Sequence, residues 1–387
     1  MALWIDTLCI PVDPSLRKYR DQAIVLLKKT YSDARAVLVL DRDLQQASRH
    51  SSTLELGIRV LCSGWMRRLW TLQEASLVSK QEPWKLNFQF LEGPLAHTEL
   101  DPSLETIYGE ETYNPVRTVE EMVLLYEGLI SAIRIRIPPT HDLQQESERK
   151  TRFTVIAGAV AYRSTSKPRD EPVCMAGLMG LDVAAILELK TAEERMILFY
   201  MMLGEVPADI IFVRGMTKLK TAPFRWAPVS ILTSEFASPQ YRWKPVGTCN
   251  MDGLYVAYKG FIFVDAAATN KRLETRCVIQ DSETGEEYLV DKSWEETSET
   301  FILPEQPALI FQWETLSRNT PAAVVNIETY TANEHGQEWP ANICFRVKVV
   351  VQHVSISPIE SVDTTGDDSL EYFAGKVTES GQIWNIT

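Results

Sequence analysis

The stretch Trp65-Met-Arg-Arg-Leu-Trp-Thr-Leu-Gln-Glu74 sets two tryptophans, two arginines and a carboxylate side by side. Read as a helix, residues three, four or seven apart share a face, so Arg67, Trp70 and Glu74 fall in line. A hydrophobic core has no use for that mixture. A cation, a flat aromatic surface and an acid in register form either a structural ion-pair ladder or one wall of a site.

Upstream, residues 2–10 are a short apolar run interrupted by Asp6 and stopped by Pro11 and Pro14. This pattern predicts a buried strand whose C-terminal end carries an acid and a thiol, Cys9. Residues 16–31 have a helical period, with Tyr19, Ala23, Ile24, Leu27 and Tyr31 on one face. Residues 36–40 are aliphatic and followed by Asp41, as in a central parallel strand. From 53 toward 79, Leu54, Ile58, Leu61, Cys62 and Trp65 are in phase for a helix, with Gly64 a point at which it divides in two. Strand, helix, strand, helix predicts a parallel α/β layer. Sites in such sheets gather beyond the carboxyl ends of the strands, where Asp6 and Asp41 then stand.

Downstream, residues 83–113 interleave prolines and acids irregularly, 119–135 return to helical periodicity, and 141–150 read as a polar loop. A second helical block covers 152–162 and 173–203. Between them lies the charged connection Arg163-Ser-Thr-Ser-Lys-Pro-Arg-Asp-Glu-Pro172. Beyond residue 226 the pattern turns to strands at 253–265, 276–281, 287–290, 308–312, 323–330 and 343–353, with Ser282-Glu-Thr-Gly285 as a hairpin turn. The expected organisation is an α/β region over 1–82, a mostly α-helical region over 83–225 and a β-rich region over 226–387.

A chain of 387 residues exceeds one typical domain. Its formal charge of −13 argues against a nucleic-acid partner, which is bound by neutralising phosphates, and against anionic membranes. The six cysteines form no close pair, which favours isolated buried thiols in a reducing compartment. The five histidines are equally dispersed, so no metal centre is expected. There is no basic segment leading into an apolar one at the start, and no run reaches the ~20 apolar residues of a membrane span. A cytoplasmic protein is expected. GxSxG, Walker, HExxH and GxGxxG signatures are all missing, which removes many hydrolase, kinase and dehydrogenase mechanisms.

Two segments taken together are more specific: Leu3-Trp-Ile-Asp-Thr-Leu-Cys-Ile10 and Gly64-Trp-Met-Arg-Arg-Leu-Trp-Thr-Leu-Gln-Glu74, with Tyr31 and Ala34 between them. Here the chain resembles the fungal heterokaryon-incompatibility (HET) family, whose members carry Trp-Ile-Asp-x-Leu-Cys-Ile, then Tyr-x-x-Ala, then Trp-x-x-Arg-x-Trp-Thr-x-Gln-Glu. The resemblance covers about the first eighty residues. It begins at the family's second motif, which implies an N-terminally shortened member. It implies an abbreviated layer like that of Toll/interleukin receptor (TIR) domains, and a role in non-self recognition and programmed cell death.

Some TIR domains cleave NAD through a glutamate in a Trp-Cys-x-x-Glu segment, and Trp70-Thr-Leu-Gln-Glu74 has the same spacing. The resemblance thus implies Glu74 as catalytic residue, with Asp6, Arg68 and Trp70 shaping the pocket for NAD as a substrate. The chemistry is physically sensible, because breaking the nicotinamide–ribose bond develops positive charge that a carboxylate stabilises. The residues also admit structural roles: Glu74 in a salt bridge to Arg67 or Arg68, Trp65 and Trp70 as core or interface anchors, Asp6 as a cap, and Cys9 as a buried thiol. The alternative function is a non-catalytic signalling module that works through self-association or a protein partner.

Overall fold

The computed structural model describes residues 3–76, 85–100, 149–233, 246–273, 276–292, 301–330, 344–361 and 370–387. The helix expected over 119–135 and most of the loop over 141–150 lie outside these residues. The chain divides into two compact units, one of Met1–Met202 with Ser230–Gln240, the other of Leu203–Val229 with Tyr241–Thr387.

In the first unit a single helical turn, α1 (Asp6–Cys9), precedes α2 (Arg17–Ser32), whose buried residues Leu27 and Tyr31 sit one turn apart. Strand β1 (Val37–Val39) leads to the turn α3 (Arg42–Gln45), capped by the Asp41 carboxylate, which accepts the amides of Asp43 and Leu44. Ser52 caps α4 (Thr53–Cys62) and Ser63 caps α5 (Gly64–Arg67), before α6 (Thr71–Ser76). Strand β2 (Leu86–Phe90) alternates buried and half-buried residues and turns into β3 (Gly93–Ala96). The sheet order is β1-β2-β3, parallel then antiparallel. Val39, Val60, Trp65, Leu86, Phe88 and Phe90 make its core. Four further helices follow: α7 (Arg149–Val160), α8 (Glu171–Met179), α9 (Val183–Glu188) and α10 (Ala192–Leu203).

The expected fold class is therefore corrected. Among the described residues the N-terminus is a small helical element plus a three-stranded sheet, not a TIR-like α/β layer followed by an α-helical middle. Of the strand expected over 2–10, the described residues 3–10 do not make one: Ile5 is extended, Asp6 opens a helical turn, and the chain then runs on to Pro11. Residues 36–40 give a three-residue edge strand with Leu38 and Leu40 exposed, not a central one. Among the described residues its only neighbour is β2, to which β3 then pairs antiparallel.

The second unit is built around a barrel. After β4 (Glu205–Pro207), β5 (Val246–Asn250), β6 (Gly253–Ala257), β7 (Gly260–Phe263) and β8 (Arg272–Leu273), the hairpin β9 (Arg276–Asp281) and β10 (Glu287–Lys292) turns through Gly285 at φ 76°. Then come β11 (Phe301–Ile302), β12 (Pro307–Phe311), β13 (Thr320–Tyr330), β14 (Cys344–Pro358), β15 (Glu371–Val377) and β16 (Ile383–Ile386). Seven of these strands, in the order β10-β9-β15-β7-β12-β13-β14, close into a ring because β14 also pairs with β10. The strands β16-β6-β5-β4 extend from β14, and closure removes the edges the ring would otherwise expose. Phe261, Leu309, Phe311, Val324, Ile356 and Phe373 belong to one packed cluster of this unit.

Candidate active site

The Trp65–Glu74 stretch is not one helix. Between α5 and α6, Arg68 is extended at φ −81°, ψ 137°. A second segment holds it open: the Leu69 amide donates to Ser164 O at 3.0 Å and the Ser164 amide to Arg67 O at 2.7 Å. Arg67, Trp70 and Glu74 therefore do not form a ladder on one face. Arg67 is exposed, and Glu74 makes no ion pair among the described residues.

Each residue of the stretch has a distinct task. Trp65 is buried, edge-on to Phe88 at 5.5 Å, and its amide donates to Asp41 Oδ2 at 2.9 Å. The Thr71 hydroxyl lies 2.6 Å from Trp65 O and 2.7 Å from Arg68 O, and its single proton serves one of them at a time. Buried Arg163 donates to Arg68 O at 2.9 Å and to Thr71 Oγ1 at 3.0 Å, with its guanidinium carbon 5.9 Å from the Trp65 ring centre. Gln73 Nε2 donates to Cys174 O at 2.9 Å, tying α6 to α8. The loop that results is fixed on all sides.

What it fixes is the wall of a cavity of about 510 Å³, within the range of small-molecule sites. Asp6, Arg68, Trp70 and Glu74 all line it, together with Tyr31 and the loop 164–167. Asp6 reaches it from the first residue of α1 rather than from a strand end. Trp70 is half-buried against Leu27 and Tyr31. Glu74 Oε2 accepts the Trp65 indole N–H at 2.9 Å, while its Oε1 makes no hydrogen bond among the described residues. One oxygen of the carboxylate is anchored and the other is uncommitted.

Burial pushes the Glu74 carboxyl above its ordinary value and Asp6 adds to the rise, while the Trp65 hydrogen bond, Arg68 and Arg163 oppose it. Burial, then the charges of Glu74 and Asp6, push the Tyr31 phenol above its ordinary range, so it stays a neutral O–H group. Tyr31 is itself held edge-on by Trp4 at 5.5 Å. The arrangement presents a half-buried carboxylate, an aromatic face, a phenol and a flexible cation around one open space. It suits stabilisation of positive charge that develops on a bound ring.

Other expectations fall differently. Cys9 and Cys62 are exposed, not buried, whereas Cys174, Cys249, Cys277 and Cys344 are buried. Asp41 does not line the cavity; it caps α3 and holds the Trp65 amide. Sequence reasoning missed Tyr31 as a wall residue, and also Arg20, Arg195 and the loop 164–167. The run Ser164-Thr-Ser-Lys167, hydroxyls and a cation without an apolar residue, was the available signal for the loop. Among the described residues no three His, Cys, Asp or Glu side chains converge as a metal site, and no helix is long and apolar enough to cross a membrane. The chain matches no known protein family, no curated protein and no solved structure.

Proposed function

We propose that this cavity hydrolyses the N-glycosidic bond of NAD, as the effector step of a cytoplasmic HET-type protein in fungal non-self recognition and programmed cell death. The observation that carries the proposal is the convergence of Asp6, Arg68, Trp70 and Glu74 on one open cavity, with Glu74 Oε1 uncommitted. In this mechanism the nicotinamide ring stacks on Trp70 and Arg68 holds the pyrophosphate. The C–N bond to ribose breaks with its electron pair leaving on nicotinamide, and Glu74 Oε1 stabilises the oxocarbenium-like sugar. Water adds to the sugar carbon and loses a proton, giving ADP-ribose and nicotinamide.

The test is incubation of purified protein with NAD, comparing wild type with Glu74→Gln. Nicotinamide release by wild type alone is expected; equal background release by both proteins contradicts hydrolysis. A second function, non-catalytic signalling by self-association, is favoured by Leu3, Leu8 and Val12, which are 82%, 80% and 85% exposed within ten residues of one another. It predicts a dimer or larger species in light scattering that Leu8→Ser with Val12→Ser returns to monomer. A monomeric wild type contradicts it.

A further inference from the structure

The cavity wall carries both signs of charge: the acids Asp6, Glu74 and Asp170, and the cations Arg20, Arg68, Lys167 and Arg195.

Arg195 is the most buried of these cations. Arg195 is only 4% exposed, and it donates to the carbonyls of Leu189 at 2.9 Å, Arg169 at 3.0 Å and Leu187 at 3.2 Å. A guanidinium has about five N–H donors, so these bonds leave some of them unused. No carboxylate is paired with it among the described residues. Leu187 and Leu189 lie at the end of α9, so capping that helix accounts for part of the arrangement. It does not account for the N–H groups left over, which are costly to bury without an acceptor.

Nor does capping account for the company Arg195 keeps. Arg20, also on the wall, has a buried Nε without a hydrogen-bond partner, 3.7 Å from Asp21 Oδ1. Lys167 and Ser166 line the same cavity, and the Ser166 hydroxyl makes no hydrogen bond among the described residues. Three cations and a free hydroxyl therefore face the ligand space along with Arg68.

We infer that this cavity includes a phosphate site: a phosphoryl or pyrophosphoryl group of the ligand seats on Arg195, Arg20 and Lys167, with Ser166 as a further donor. Planar guanidinium forks match the oxygens of such a group, and an ammonium adds a point charge. The inference rests on the cavity being a ligand site. It adds donors to Arg68 for the same pyrophosphate and makes a phosphate, not only a glycosidic bond, part of what is recognised. Nucleotides are then favoured over nucleosides carrying the same scissile bond.

Calorimetric titration of the full chain with inorganic pyrophosphate at low salt tests it, with malonate as a carboxylate control. Wild type and Glu74→Gln are expected to bind pyrophosphate alike and malonate more weakly. The exposed-loop variant Lys167→Gln and, separately, Arg20→Gln are expected to bind pyrophosphate roughly tenfold more weakly, the scale of one lost charge-assisted hydrogen bond. No binding by wild type, wild-type affinity in both cation variants, or malonate bound as tightly as pyrophosphate overturns the phosphate site. Pyrophosphate binding without nicotinamide release would sink the hydrolase alone. Release without pyrophosphate binding would sink the phosphate site alone.

Discussion

Glu74 shows how one residue serves two ends. The Trp65 indole holds Oε2, so a substitution that keeps this acceptor and removes the charge separates structure from chemistry. Glu74→Gln is expected to melt as wild type does while losing about 100-fold or more in turnover, a typical scale for a transition-state electrostatic contact. Because burial raises the Glu74 carboxyl, the ionised form is lost at a higher pH than for an ordinary glutamate. Turnover should therefore fall as pH drops, with an acid limb above the usual carboxylate range. Trp65→Phe removes the opposing hydrogen bond and should move that limb higher still; an unmoved limb would show that Trp65 does not tune Glu74. Glu171 contributes a pH effect on folding. It accepts the Ile231 amide at 2.7 Å, and burial pushes its carboxyl up to about 7 from 4.5. A raised folded-state value means the native state keeps a proton that the unfolded chain releases. Its stabilisation is full below the unfolded value and is lost as pH rises through about 7, on the order of 3 kcal/mol across that window. Chemical denaturation at a series of pH values should show this slope in wild type and a flatter one in Glu171→Gln.

At the scale of elements, the active-site loop depends on how α6 meets α8. Gly177 on α8 leaves room for the Gln73 side chain, and a Cβ there would overlap Gln73 Nε2. Gly177→Ala should lower stability by about 1–3 kcal/mol, as overpacking commonly does. Adding Gln73→Ala should cost less than the sum of the two changes, because the colliding group has gone. Strict additivity in denaturation would mean that the two residues do not meet. The resemblance implied Asp6, Arg68, Trp70 and Glu74 as site residues, and all four line one cavity. The local structure was not legible in the sequence. Helical phase carried Trp65 to Glu74 as one continuous face, but the break at Arg68 comes from pairing with Ser164, whose partner Arg67 lies 97 residues earlier. Periodicity within a window cannot register a contact of that span. For the same reason the Ser164–Lys167 run read as a mere connection.

For the molecule as a whole, alternation located strands such as Arg276–Asp281 and the turn at Gly285, yet it contained no sign of a ring. Closure depends on the end of β14 meeting β10, Ile356 opposite Val290, a pairing chosen by packing and not by either strand's own pattern. Close approach of backbones enforces it elsewhere: a Cβ on Gly260 would overlap Leu309 O on β12 and the Trp384 ring on β16. Gly260→Ala should therefore destabilise the barrel by several kcal/mol, seen as early loss of its β signal in circular dichroism on heating. An unchanged melt would count against the β7–β12 contact. The central claim concerns the other unit, that the cavity lined by Asp6, Arg68, Trp70 and Glu74 binds NAD. Its most direct test is calorimetric titration of NAD into Glu74→Gln, which should bind substrate without consuming it. A saturable one-site isotherm that disappears in Glu74→Gln with Trp70→Ala is the predicted result; no binding, or binding indifferent to Trp70, would contradict the account.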